Sequence, residues 1–226
     1  MISVVIPASG AGTRFGANIP KQFLDLNGQQ ILQHTISIFQ NISIVDEIAV
    51  AVPEGYGHEV ENYGFSKVKH IVDGGESRAH SVFTSLKKLH SDTKIVLIHD
   101  GVRPFVTEEL IDAIIQATKT NGAAIACIPV TDTIKKANSS GKIIETLDRN
   151  QLWSVQTPQG FTYDIIMKAY KQAEKDGALG QTTDDSALVE RLQIPVSIVP
   201  SSASNIKITT SEDLKIAKAF IGANRK

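Results

Sequence analysis

Ile2-Ser3-Val4-Val5-Ile6-Pro7-Ala8-Ser9-Gly10-Ala11-Gly12-Thr13-Arg14-Phe15-Gly16, followed closely by Pro20-Lys21-Gln22-Phe23, is the stretch from which the rest of the reading follows. A short β-branched run opening into glycines predicts a buried strand ending in a glycine loop, with two cations behind it. Gly10, Gly12 and Gly16 remove Cβ atoms where a backbone would approach a phosphate chain, so the N–H groups of the loop can face anionic oxygens. Arg14 and Lys21 add full positive charge to the same rim. The spacing matches neither the dinucleotide fingerprint nor a Walker loop, which argues against an NAD-dependent oxidoreductase. A strand and a glycine turn also serve as plain structural punctuation. The added Arg and Lys are what favour polyanion binding.

Working outward, the same strand-then-loop grammar repeats. Leu24 to Gly28 predicts a short extended piece with an Asn-Gly turn, and Ile31, Leu32, Thr35, Ile36 and Phe39 recur at helical spacing, with His34 at that helix's surface or core edge. Ile48 to Val52 is an apolar strand stopped by Pro53. Lys67 to Val72 is another, delivering Asp73-Gly74-Gly75-Glu76-Ser77-Arg78 before a helix marked by Val82, Phe83, Leu86 and Leu89. Ile95 to Ile98 reads as a strand buried on both faces and ends in His99-Asp100-Gly101-Val102-Arg103-Pro104. Thr107 caps the next helix, with Glu108 and Glu109 in its first turn, and Ala123 to Pro129 forms the following strand. This alternation predicts an α/β, Rossmann-like fold, a mostly parallel sheet with helices on both faces, and ligands beyond the carboxyl ends of the strands.

From Thr131 the pattern changes. Thr133 to Lys136 and Lys142 to Thr146 flank Asn138-Ser139-Ser140-Gly141, a hairpin signature that predicts a protruding arm at about 131–150. A helix with Ile165, Ile166, Ala169 and Tyr170 follows. Thr182 and Asp185 are expected to box-cap a helix reaching Leu192, and Thr210 with Asp213 to cap the last one. Val196 to Val199 and Asn205 to Ile208 read as late strands, and Gly222 to Lys226 as a frayed end. With no repeat or linker, residues 1–226 are expected to form a single domain.

Composition sets outer bounds. The 226 residues carry 23 Lys plus Arg against 24 Asp plus Glu, so no global field draws nucleic acid or anionic membrane and anion binding must be local. No signal peptide or span-length apolar segment stands out, which makes the cytoplasm the default location. The one cysteine, Cys127, sits in an apolar run and is expected to be a core residue.

The strand-end loops gather glycine N–H donors, the cations Arg14, Lys21 and Arg103, and the carboxylate of Asp100. No Gly-x-Ser-x-Gly elbow, His-Glu-x-x-His or metal-spaced cysteine pair is present. Such a set suits transfer at phosphorus, where positioning and charge stabilisation do most of the work. Pro7 to Gly16 with Pro20 to Phe23, Asp73-Gly74-Gly75-x-Ser77-Arg78-x-x-Ser81-Val82 and His99 to Phe105 resemble the 2-C-methyl-D-erythritol 4-phosphate cytidylyltransferase family. The resemblance continues in order through Asp132 to Lys135, Asp148-Arg149-Asn150-x-Leu152-Trp153, Gln156 to Gln159, Thr183 to Asp185 and Asn205 to Thr209.

That resemblance implies a cytidylyltransferase joining CTP to methylerythritol phosphate with release of pyrophosphate, in non-mevalonate isoprenoid synthesis. A phosphomonoester with a second pKa of about 6 is largely dianionic near neutrality, so no general base is required. It further implies catalytic roles for Arg14, Lys21 and Lys207. Nucleotide binding falls to Ala8, Ser9, Gly10, Ala11, Gly12, Gly75, Ser81 and Asp100, with Ser81 helping to read the base. Arg103 and Thr157 line the site, and Thr133 and Arg149 reach the polyol phosphate from the other subunit of a homodimer joined through the arm. Mg²⁺, or another divalent cation, would bridge the triphosphate, with Asp100 as its protein ligand. Gly101, Glu76 and Ser204 stand where the family often carries Ala, Asp and an acidic residue. A ribitol-5-phosphate cytidylyltransferase shares several of these elements, but Leu147 to Asn150 followed by Leu152-Trp153 sits closer to the methylerythritol branch. A non-catalytic CTP-binding protein is the alternative of another class, disfavoured by the retention of both Arg14 and Lys21.

Overall fold

The computed structural model describes residues 1–10 and 19–223. In chain order the elements are β1 (Ile2–Pro7), β2 (Asp25–Leu26), β3 (Gln29–Gln30), α1 (Ile31–Asn41), β4 (Glu47–Val52), α2 (Gly57–Glu61), β5 (Val68–Asp73), α3 (Arg78–Leu86), β6 (Ile95–Ile98), α4 (Glu108–Asn121) and β7 (Ala123–Pro129). They continue with β8 (Lys135–Ala137), β9 (Ile143–Thr146), β10 (Trp153–Thr162), α5 (Tyr163–Lys175), α6 (Ser186–Glu190), β11 (Ser197–Pro200) and α7 (Ser211–Ala223).

Seven strands form one sheet in the order β11-β7-β10-β6-β1-β4-β5. All neighbours run parallel except β10, which is antiparallel to both β6 and β7. The β-branched run of β1 explains its central place. Val4 and Ile6 face one core layer with Leu32, Phe39 and Ile114, whereas Val5 faces the other with Val82, Phe83 and Tyr170. All three are fully buried, and each contributes about 1.5–3 kcal/mol relative to exposure. Helices therefore cover both faces, as the mostly parallel pattern requires. A third cluster joins Leu26, Ile31 and Val102 to Ile208 and Ala217, docking α7 against the small β2-β3 hairpin. That hairpin turns through Asn27 and Gly28, both at positive φ, as an Asn-Gly turn demands.

Several local expectations are met. Thr107 Oγ1 accepts the Leu110 N–H and caps α4. Asp213 accepts the Thr209 and Thr210 N–H groups while its own N–H donates to Thr210 Oγ1, a reciprocal cap on α7. Cys127 is fully buried, and burial pushes its thiol up to about 11.

Others are corrected. Asn205 to Ile208 is not a strand: its groups are drawn individually to the site loops, with Ile208 N–H donating to the Val102 carbonyl. Asp185 sits at the N-cap position of α6 but makes no side-chain cap bond and turns inward to Tyr170 and Arg78; Asp184 accepts the Ala187 N–H, and Thr182 Oγ1 donates to the Asp184 carbonyl. α3 stops at Leu86, one turn short of Leu89, and α6 ends at Glu190. The arm's paired strands begin at Lys135 and Ile143, leaving Thr133 and Lys142 outside them. Gly222 belongs to α7; residues 224–226 lie outside the described part. Among the described residues no helix is long and apolar enough to cross a membrane.

Candidate active site

The carboxyl ends of β1, β5 and β6 open onto a crevice of about 430 Å³, lined by Ala8, Ser9, Gly10, Lys21, Gly75, Glu76, Arg78, Asp100 and Lys207 among others. The loops converge because they are knotted to one another. Ser81 Oγ donates to the Ser77 carbonyl and accepts the Gly75 N–H, each at 3.0 Å, which leaves Ser9 Oγ to donate to it at 2.7 Å. A Cβ on Gly74 would fall 2.0 Å from the Ser9 Cβ, so the close approach of the two loops admits only glycine there. Ser81 was expected to read the base. It is fully buried with its hydroxyl shared among three internal partners, and it ties the loops together from behind the crevice wall.

Gln22 is the counterpart on the other rim. Its buried amide donates to the Ala8 carbonyl and, at 3.4 Å, to the Gly10 carbonyl, fixing the start of the first loop. It follows Lys21 in a short 3-10 turn, Lys21–Phe23, anchored by Phe23 stacked on Tyr56 at 4.9 Å. Ala11, Gly12 and Arg14 lie outside the described residues.

Asp100, at the end of β6, is the electrostatic hub. Its Oδ1 is 3.1 Å from Arg78 Nε, and its Oδ2 is 2.8 Å from Lys207 Nζ and 3.5 Å from Arg103 Nε. Burial alone would raise its pKa, but Arg78 foremost, then Lys207 and Arg103, hold it well below the usual carboxylate range. Arg78 is also anchored from beneath by Asp185 at 2.8 Å, which in turn accepts from Tyr170. Burial would lower the Arg78 pKa, yet the two carboxylates drive it upward. Arg103 is buried, with its pKa lowered by that burial, and donates from Nη1 to the Asn205 carbonyl at 2.7 Å. Beneath the hub His99 is fully buried, and desolvation lowers it to about 4, so it is neutral near pH 7.

A second cavity of about 400 Å³ adjoins the first, with Arg103, Gln156, Thr157, Gln159 and Asp184 in its lining. The two share Arg78, Asp100 and Lys207. The site is thus two-chambered, with one carboxylate and its cations at the join. Thr133 and Arg149 stand on the exposed arm and line neither chamber of their own chain; Arg149 donates to the Thr131 carbonyl at 2.7 Å.

Among the described residues no group of three or more His, Cys, Asp or Glu is placed to hold a metal by itself. Among the described residues the carboxylate shared by both chambers is that of Asp100, held ionised, while Glu76 lines the first chamber and Asp184 and Glu190 the second. A carboxylate at the join suits Mg²⁺, which takes one or two carboxylates and draws its other ligands from substrate phosphates and water. Sequence reading passed over Gln22, Arg78, His99, Asp185 and Asn205 as site residues, although all of them lie within motifs quoted for other reasons.

Comparison with known proteins bears on the chain as a whole. The family model described as 2-C-methyl-D-erythritol 4-phosphate cytidylyltransferase matches residues 2–223. The chain is 45% identical over 225 residues to the enzyme of that name from Syntrophus aciditrophicus, covering 97% of this chain and 95% of the other. It is 44% identical to that of Alkaliphilus oremlandii, covering 99% and 96%. Among solved structures, the 4-diphosphocytidyl-2C-methyl-D-erythritol synthase of Anaerococcus prevotii superposes with a TM-score of 0.86 at 30% identity, over 98% of this chain and 96% of that one. The Francisella tularensis cytidylyltransferase gives 0.85 at 30% identity, over 96% and 98%. A family model that matches residues 2–223, with relatives 44–45% identical over nearly the whole chain, means that the chain belongs to the 2-C-methyl-D-erythritol 4-phosphate cytidylyltransferase family.

Proposed function

We propose that this protein transfers the cytidylyl group of CTP to 2-C-methyl-D-erythritol 4-phosphate, giving CDP-methylerythritol and pyrophosphate. The observation that carries the reading is the pair of adjoining chambers, one walled by glycine loops and one by Arg103 and Thr157, meeting at Asp100 and Lys207. Two anionic substrates have to be brought together at one point, and a cation cluster around an ionised carboxylate stands there.

The substrate's phosphomonoester is largely dianionic near neutrality and attacks the α-phosphorus of CTP. A P–O bond forms, the bond to the β-phosphate bridge breaks, and pyrophosphate leaves. Backbone groups of Ala8, Ser9, Gly10, Ala11, Gly12 and Gly75 hold the nucleotide, with Ser81 keeping their loops in register. Arg14 and Lys21 stabilise the charge that grows on the α-phosphate and the leaving group; one such preorganised contact lowers the barrier by about 3–4 kcal/mol. Lys207, fixed by Asp100, orients the attacking phosphate, and Arg103 supports it. When bound with CTP, Mg²⁺ neutralises triphosphate charge, and Asp100 is the residue that would hold it.

The arm supplies Thr133 and Arg149 to the second chamber of a partner copy in a homodimer. Its support is the exposure of Ile143 and Ile144, 65% and 60%, on a hairpin whose paired-strand residues are all exposed. The whole chain acts as one domain in the cytoplasm.

The test is pyrophosphate release from CTP and Mg²⁺ with methylerythritol phosphate and ribitol 5-phosphate side by side. Release with the first alone is expected. Release with the second alone would move the protein to polyol precursor synthesis, and silence with both despite CTP binding would leave a nucleotide-binding protein.

A further inference from the structure

Arg78 lies at the join of the two chambers with its guanidinium between two acids. Its Nε is 3.1 Å from Asp100 Oδ1, and its Nη2 is 2.8 Å from Asp185 Oδ2. Fixing two of the three nitrogens of a planar fork sets the plane of the group. With Asp100 Oδ1 taken by Arg78, Oδ2 is the oxygen turned to Lys207 at 2.8 Å and to Arg103 at 3.5 Å. Arg78 thus decides which way the Asp100 carboxylate faces, and Asp185 decides where Arg78 lies.

Asp185 itself stands out of reach of a substrate, since it is fully buried and lines neither chamber. Its Oδ1 accepts the hydroxyl of Tyr170, also fully buried, whose ring stacks on Phe83 at 5.4 Å. Its neighbours in sequence hold the backbone. Gln159 Nε2 donates to Asp184 Oδ2 at 2.8 Å, and the Ser186 N–H donates to Gln159 Oε1 at 3.0 Å. The segment from Asp184 to Ser186 is therefore pinned to β10 by groups other than the Asp185 carboxylate, which is left to serve as a fixed stop for Arg78. A buried ion pair is often no more stabilising than apolar side chains of the same volume, and this one is placed where an arginine lining the site needs a fixed partner.

The geometry points to Asp185, backed by Tyr170, as a positioning residue: through Arg78 it sets the orientation of Asp100 and, through Asp100, that of Lys207. The kinetic part of its test rests on the cytidylyl-transfer reading; the hold on Arg78 does not.

The experiment pairs pyrophosphate release with hydrogen exchange at the Arg78 Nε–H, followed by NMR in ¹⁵N-arginine-labelled protein without substrate. The resonance is identified by its loss in Arg78→Met. Asp185→Asn is expected to lower kcat about tenfold, as displaced catalytic groups do, with KM for CTP within about twofold and exchange at least about tenfold faster. Tyr170→Phe, which keeps the ring and loses only the hydroxyl, should move both readouts in the same direction by about threefold. Because Asp185 acts through Arg78, adding Asp185→Asn to Arg78→Met should leave the kcat of Arg78→Met within about twofold. A role confined to stability would lower Tm and leave kcat and exchange alone, and an Asp185→Asn enzyme of that kind would overturn the proposal. So would a double variant whose loss of kcat is the product of the two single losses. If Asp185→Asn does not fold, Tyr170→Phe decides, and unchanged kcat and exchange there would sink the idea. If the wild type releases no pyrophosphate, the reaction assignment fails by itself, and the exchange rate still decides whether Asp185 holds Arg78.

Discussion

The sheet buries a carboxylate at each end, and the two are kept ionised by opposite means. At the amino end Glu47, 3% exposed, accepts from Ser3 Oγ at 2.7 Å, Thr93 Oγ1 at 3.1 Å and the His90 N–H at 2.9 Å, with His70 Nε2 at 3.4 Å. Burial would raise its pKa, but those hydrogen bonds, Ser3 first, bring it down. At the carboxyl end Asp100, 6% exposed, is held by the side chains of Arg78, Lys207 and Arg103. Neutral donors fix Glu47 as a bolt between β1, β4 and the turn before β6. Full cations surround Asp100 at the join of two open chambers, where the proposed reaction would draw on their charge. A buried acid is therefore functional or structural according to what satisfies it, and depth alone does not distinguish the two.

The sharpest way to break the contrast is to neutralise each acid in turn. Asp100→Asn should lower kcat by about a hundredfold or more, because Lys207 loses its anchor, and Glu47→Gln should leave kcat within about twofold. Lys21→Ala, at the same end as Asp100, is expected to reduce turnover at least about a hundredfold while CTP binding stays largely intact, as for a contact made mainly in the transition state. Equal kinetic losses for Glu47→Gln and Asp100→Asn would erase the distinction.

Urea unfolding should show the reverse ranking at the other end. Glu47→Gln is expected to cost about 2–3 kcal/mol, since the three donors converge on Oε1 and bind a neutral amide oxygen less strongly than a carboxylate, while the amide N–H₂ replaces the oxygen facing His70. The pH dependence sharpens the comparison further. His99 is lowered to about 4 from 6.5, so only the unfolded chain binds that proton in the window between, and stability falls with pH there. The loss from about pH 7 to about pH 5 should be about 2 kcal/mol in urea midpoints. Both carboxylates are lowered, so their contributions persist through that window and are lost only as the pH falls below the ordinary carboxylate range. The smallest expected effect is Gly101→Ala, whose Cβ would lie 2.9 Å from the Ala8 Cβ and 3.0 Å from Leu32 Cδ1. It should lower stability by about 1 kcal/mol, read as a fall in Tm.

What was legible in the sequence was whatever repeats locally. The apolar runs of β1, β4, β6 and β7 carry their own signal, as do the helical spacing of α1 and α4 and the turn residues of the small hairpin. The Gln156 to Gln159 motif was recognised, yet its place on an antiparallel strand was not, because β10 shifts register between Val155 and Gln159 and breaks any period of two. Asn205 to Ile208 looked extended from its alternation, but its hydrogen bonds go to scattered loops. Glu47 left no trace in any pattern, since its partner Ser3 is 44 residues away, and Asp185 stood in a quoted motif as a helix cap while its actual partner Arg78 lies far upstream. Arg78 stood inside a quoted motif, and only the folded chain shows it clasped by two acids.

The single antiparallel strand has a consequence for how the protein is made. β10 wedges between β6 and β7, and it brings Thr157 to an Asp100 amide 57 residues upstream, while Asn205 reaches back 102 residues to Arg103. During synthesis β1, β4 and β6 can pair early, yet no functional pocket exists until the last strands emerge. Contacts this distant in sequence slow folding and leave the centre of the sheet open for a time. A nascent chain halted before β10 would expose the edge of β6, and chaperone dependence should be greatest at that length.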